Sequence, residues 1–232
     1  DIASAGVSAS DYMYVGGYDK PVEMKDGAKY LVKLNENGVG FVYFGSKTDV
    51  SKKVLYKLTA TGEEKMDTTF TTTDTAVSVR TAAPVGVRFR AMVANKLLAA
   101  TEEKEGFSVK EYGFLVSIAK QINSPDELNM AAVEAGKAVK GVAHDENTNI
   151  IYSSNDQEQV ITAVLTGIPN TKEAYNMDLY VRPYVVLSNG MTVYGNPVVD
   201  TMYSIASGIA ETLTGSEPYA EFIYNIIEVA EG

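Results

Sequence analysis

The chain has no cysteine, no tryptophan and a single histidine in 232 residues. Without cysteine there can be no disulfide, thiolate zinc site, iron–sulfur cluster or cysteine nucleophile. With one histidine, a Ser-His-Asp triad would have to be built on His144 alone. That residue stands beside "DENTN", at the polar end of an expected helix, where a surface group or helix C-terminal cation is the ordinary reading. No GxSxG, HExxH or P-loop occurs. In "GVGFVYFG", Tyr43 stands where a GxGxxG loop needs its third glycine. No run of 18 apolar residues exists to span a bilayer. Basic residues are also few, 20 against 30 acidic, for a net charge of −10. Such a surface repels phosphate backbones and anionic lipid, which argues against nucleic-acid and membrane partners. Thirty carboxylates always permit a pair at glycosidase spacing, so they discriminate nothing. No enzyme class is indicated.

What is present is strand pattern. "DIASAGVSAS" is small and polar, and residues 1–10 read as a linker; any export signal is expected upstream. From Tyr12 to about residue 76, short apolar runs alternate with Gly, Asn and Asp turns: "YMYV", "VEM", "KYLVKL", "GVGFVYFG", "KVLYKLTATG", "TTFTTT". This predicts a small β-sandwich over 11–76. The polar, threonine-rich "TTTDTAVSVRTAAP" then suggests a domain junction near residues 74–84.

The second strand series begins with "VGVRFRAMV". Val85, Val87, Phe89, Ala91 and Val93 fall on one face, and Gly86, Arg88, Arg90 and Met92 on the other. "VKEYGFLVSIA" (109–119), "EQVITAVLTGI" (158–168), "MDLYVRPYVVLS" (177–188) and "GMTVYGNPVV" (190–199) follow, with "SNG" at 188–190 as a hairpin turn. Ser124, Pro125 and Glu127 form a helix start, and Leu128, Ala131, Ala132, Ala135, Ala138, Val139 and Val142 keep helical spacing, predicting a helix over 125–143. A second helix is expected after Asp200, stopping at Gly215. A third is expected after Pro218, with the stripe Tyr219, Phe222, Ile223, Ile226, Ile227 and Ala230, which requires a cover from this chain or a neighbour.

"VRFRA", "EYGFLV", "ITAVLTGIP", "YVRPYVV" and "GMTVYGNPVVDTMYSIA" stand in this order across roughly residues 76–210. Together they resemble a module of large multidomain extracellular proteins of gut and rumen Firmicutes, including fibre- and starch-degrading Ruminococcus and Clostridium relatives. The resemblance implies a β-rich, immunoglobulin-like domain on a secreted or surface-attached protein and no particular activity. The expected architecture is thus mostly β: two β-sandwich-like domains, 11–76 and 77–200. The second is immunoglobulin-like with an inserted helix, and a C-terminal helical pair occupies 201–232. The expected role is non-catalytic: adhesion or spacing by a monomeric module, with a polysaccharide ligand or, alternatively, a protein partner as in cohesin–dockerin scaffolds.

Three candidate groups follow. Arg88, Arg90 and Arg182 lie on the face opposite their strands' apolar residues. They read as a structural ladder, covering tyrosine rings and pairing with carboxylates such as Glu111, or as a cationic notch for a carboxylate or sugar hydroxyls. Without tryptophan, sugar stacking would fall to tyrosines: Tyr12, Tyr14, Tyr18, Tyr43, Tyr152 and Tyr194 are candidates, and the first three, beside Gly16-Gly17, are favoured. Asp145, Asn147 and Asn149 resemble the first half of a calcium loop. Ile150 replaces the required glycine and Asp156 the closing glutamate, so calcium would need a different loop geometry.

Overall fold

The computed structural model describes residues 12–14, 22–25, 34, 36, 38, 40–46, 53–59, 61–66, 70–71, 78–80, 86–105, 107–188 and 192–232. The linker 1–10, Tyr18, most of "KYLVKL" and the tip of the 188–190 turn lie outside the described residues.

The chain is mostly β, with antiparallel sheets and a few helices. In the N-terminal region, β1 (Tyr12–Tyr14), β2 (Val22–Glu23), β3 (Gly40–Ser46), β4 (Lys53–Thr59) and β5 (Gly62–Met66) form one five-stranded sheet in the order β2-β1-β3-β4-β5. Phe44 is buried in it and meets Tyr56 edge to face, 6.2 Å between centroids. Among the described residues this region is a single sheet rather than the small two-sheet sandwich expected. Its last predicted strand also belongs elsewhere: β6 (Phe70–Thr71), which lies before the expected junction, pairs Phe70 with Val93 and Thr71 with Met92.

Two further sheets face each other. The front sheet runs β11 (Ser153–Ser154), β12 (Glu158–Thr166), β8 (Gly86–Ala94), β6, with β7 (Ser78–Arg80) also on β8. The back sheet runs β10 (Val139–His144), β9 (Val109–Ile118), β13 (Leu179–Leu187), β14 (Thr192–Tyr194), with β15 (Val198–Asp200) also on β13. The alternation in β8 does as its sequence requires: Val87, Phe89, Ala91 and Val93 are buried. They share one core with Ile161 of β12 and with Tyr112, Phe114, Val181 and Val185 of the back sheet. Each large side chain so buried contributes about 1.5–3 kcal/mol of transfer free energy. The result is β-sandwich-like.

The helix expected over 125–143 is not formed. Ser124 does cap a turn, its Oγ accepting from the Asp126 amide at 3.1 Å, but Pro125–Glu127 is one 3₁₀ turn. A five-residue helix (Met130–Glu134) follows and stops before Gly136, whose φ of +70° suits glycine. Val139–His144 is then strand β10, paired with β9 from Val139↔Val116 to His144↔Tyr112. Glycine allows that pairing: a Cβ on Gly113 would run into the Gly141 carbonyl. Of the stripe that suggests a helix, Ala131 and Ala132 are helical, while Val139 and Val142 are taken into the strand by their pairing with β9.

The two C-terminal helices, Met202–Ala210 and Ala220–Glu231, lie against the sandwich. Thr201, one residue beyond the expected Asp200, caps the first in a reciprocal box with Ser204, and Gly215 at φ +84° lies in the connection. Ile223, Ile226 and Ala230 of the last helix join Met202, Ile205 and Ala206 in the main core. The apolar stripe is therefore covered by its own chain; Tyr219 alone leaves it, 39% exposed. The last turn is held from outside, with Asn176 Nδ2 donating to the Ala230 carbonyl at 2.8 Å and Lys172 Nζ to that of Glu231. Among the described residues no helix is long and apolar enough to cross a membrane.

Candidate functional site

The two sheets treat their outer faces differently. On the back sheet, the outward side chains of β9 and β13 include Leu115, Tyr180, Arg182 and Tyr184. Residues 122–138 fold over them, so that Leu115, Tyr180 and Tyr184 form a second small core with Ile122 and Leu128. Arg182 is 4% exposed there. Its Nε donates to the Gly195 carbonyl at 2.9 Å and its Nη1 to the Leu128 carbonyl at 3.0 Å, while its guanidinium lies 4.6 Å from the Tyr194 ring centre. Tyr194 in turn accepts from the Met130 amide at 2.9 Å, tying the covering segment down. Burial is the main influence on the Tyr194 phenol and raises its pKa.

Glu111 is not the arginine's partner. It takes Lys140 Nζ at 2.8 and 3.0 Å and the Tyr184 hydroxyl at 2.7 Å. Burial first, and then the Glu111 carboxylate, push the Tyr184 phenol far above the ordinary tyrosine range. The expectation that Arg88, Arg90 and Arg182 share neighbouring strands also needs correction: Arg182 is on the back sheet and the other two on the front.

On the front sheet, β8 is an interior strand, with β12 on one side and β6 and β7 on the other. Directly opposed residues of an antiparallel pair share a face. Arg88 stands opposite Val164 and Ser78, Arg90 opposite Thr162, Arg80 and Thr166 opposite Gly86, and Glu158 opposite Ala94, so three arginines, three hydroxyl side chains and one carboxylate occupy one outer face among the described residues. Gly86 permits the close approach of β8 and β12, since a Cβ there would strike the Leu165 carbonyl.

Tyr152 completes the arrangement. Its amide donates to the Val160 carbonyl at 2.9 Å, and its ring lies 4.9 Å from the Arg90 guanidinium and 5.9 Å from that of Arg88. The ring remains 52% exposed. Among the described residues no carboxylate comes within ion-pairing distance of Arg88 or Arg90, and the Nε of Arg90 is out of water without an acceptor. An orphaned donor of this kind costs about 1–3 kcal/mol. Two planar cations held side by side on an aromatic ring, surrounded by hydroxyls, can receive an oxyanion.

The juxtaposition of Tyr152 with Arg88 and Arg90 was hidden by some 60 residues of sequence. Its signal is "SSNDQE": Asn155 Oδ1 accepts from the Gln157 and Glu158 amides at 2.8 and 3.0 Å, closing the turn that returns Tyr152 alongside β12.

Of the remaining candidates, only the Asp145 loop has described side chains, and they do not converge. Tyr12 and Tyr14 lie in β1, with Tyr12 paired to Ser46 and Tyr14 to Phe44; Tyr18 lies outside the described residues. Asp145 Oδ1 accepts from the Asn147 and Thr148 amides at 2.8 and 2.6 Å, and the Asn147 amide is the largest cause holding its carboxyl below the usual range. Asn147 turns to Glu146, and Asn149 Oδ1 faces His144 Nδ1 at 3.3 Å. The three side chains thus serve separate partners in a tight turn, and among the described residues no group of three His, Asp or Glu converges on one point. His144 ends a strand rather than a helix, its ring stacked on Tyr112 at 4.9 Å. No family model, curated protein or solved structure matches the chain.

Proposed function

We propose that this chain is a non-catalytic module of a secreted or surface-attached multidomain protein, serving adhesion or spacing, with polysaccharide as its ligand class. The observation that carries the reading is the front outer face, where two half-buried arginines, Arg88 and Arg90, lie against the half-open ring of Tyr152. An immunoglobulin-like identity for residues 77–200, and membership of the Firmicutes surface modules it resembles, belong to the same proposal. Support comes from two antiparallel sheets closing on a common core, with consecutive strands divided between them. The test is electrophoresis of the whole chain through gels containing starch, xylan or polygalacturonate, with the same polymers assayed for newly released reducing ends. Retardation without release is expected; release would make the module an enzyme.

A protein partner is the second reading, favoured by strand β10. It ends the back sheet's order, and Val139 on it is 70% exposed, so its edge suits an added strand. Replacing Val139 by lysine should then abolish capture of that partner and leave gel retardation unchanged.

A further inference from the structure

Resting on the reading above, we infer that the front outer face binds a polysaccharide made of uronic acids, with Arg88 and Arg90 receiving its carboxylates and Tyr152 stacking on a sugar ring. Three features of the face select this occupant.

The first is charge. The chain carries −10 overall, yet this face gathers Arg80, Arg88 and Arg90, and among the described residues neither Arg88 nor Arg90 has an ion pair. The two guanidiniums lie over one ring, at 4.9 and 5.9 Å from its centre. A planar carboxylate matches the paired terminal donors of a guanidinium.

The second is shape. The backbone of β8 is paired on both sides, so a peptide cannot join the sheet here as an added strand. A ligand must be recognised by side chains across a flat face, and a sugar chain with a carboxylate on each ring offers matching groups along its length. The third is the ring itself. Half of Tyr152 remains open beyond the arginines, and Ser78 and Thr162 stand opposite them as hydroxyl partners for sugar oxygens. Long-range repulsion between the acidic chain and a polyanion slows encounter, so affinity must come from these local contacts.

Affinity electrophoresis and calorimetry with polygalacturonate, on the full chain, test the inference. The paired change Arg88→Ala with Arg90→Ala should reduce binding by at least about 100-fold, consistent with two charge-assisted contacts. Arg88→Lys with Arg90→Lys, which keeps the charge but not the paired donors, should still lose about 10-fold. Tyr152→Ala should weaken binding by a similar factor, and near-ultraviolet dichroism and melting temperature should show each variant folded. Retention of full affinity in the lysine pair would overturn the inference in favour of unspecific charge attraction. So would equal binding of poly-glutamate, which would assign the face to an acidic protein. Retardation by starch or xylan but not by polygalacturonate would overturn the uronate assignment while leaving the polysaccharide reading standing. Retardation by no polymer would overturn both.

Discussion

Arg182 and Arg90 look alike in sequence, each alternating with apolar residues in a strand, and the fold gives them opposite circumstances. Arg182 is covered by residues 122–138 and spends its donors on the carbonyls of Leu128 and Gly195. Arg90 lies on a face with no such cover among the described residues, and its Nε finds no acceptor. An arginine's role is therefore decided by what lies over its face of the sheet. A buried guanidinium among carbonyls is a clamp, because removing it leaves those acceptors out of water and unpaired. A guanidinium stacked on an exposed ring contributes little to folding and remains available to a ligand.

The comparison is broken most directly at Arg182. Arg182→Ala should destabilise the chain by about 3 kcal/mol, through two orphaned carbonyls and lost packing on Tyr194. That corresponds to a melting temperature lower by roughly 6–12 °C for a chain of this size. Calorimetry showing a loss below about 1 kcal/mol would remove the clamp from the argument.

Next comes Tyr184→Phe on the same covered face, expected to cost about 1–2 kcal/mol at neutral pH. Its phenol is raised in the folded state, so its stabilisation is complete below the unfolded phenol's pKa of about 10 and is lost as pH rises above it. Melting curves between pH 7 and 11 should fall less steeply at the alkaline end in the phenylalanine variant. Parallel curves would mean that burial and the Glu111 carboxylate do not hold the Tyr184 phenol above the ordinary range.

On the open face the effects shrink. Arg90→Ala should change stability by less than about 1 kcal/mol, the loss of a cation–ring contact being offset by removal of the orphaned Nε. A drop as large as that of Arg182→Ala would show that the front face is structural after all. Smallest of all, Lys120→Ala breaks an ion pair with Glu173 whose side chains are 58% and 72% exposed. Denaturant titration should detect no more than about 0.5 kcal/mol, which sets the baseline for an exposed cation.

The strands of the second region were legible because alternation over seven to ten residues is a strong signal. β8, β9, β12 and β13 all fall within the segments expected of them. The C-terminal stripe was equally readable, down to Ile223, Ile226 and Ala230. Residues 125–143 were misread because alanine's helix preference and the apolar spacing point one way, while Gly136 ends the helix and Val139–His144 gains pairing with β9. The destination of Phe70–Thr71 was unreadable for another reason. Two residues show no period, and only the register with Val93 and Met92 reveals which sheet they join. The site suffered from distance: each of its side chains stood in view, but their meeting depends on three strands being laid side by side.

The broken strand made by β6 and β7 has a further consequence. On the opposite side the two-residue β11 pairs only with Gln159 and Val160, so that residues 161–166 of β12 are the long border of the front sheet among the described residues. One border is thus broken into short pieces and a poor template for a neighbouring strand, while the other offers six consecutive residues to one. Copies brought side by side would therefore meet through this sheet in one direction only, along the β12 edge.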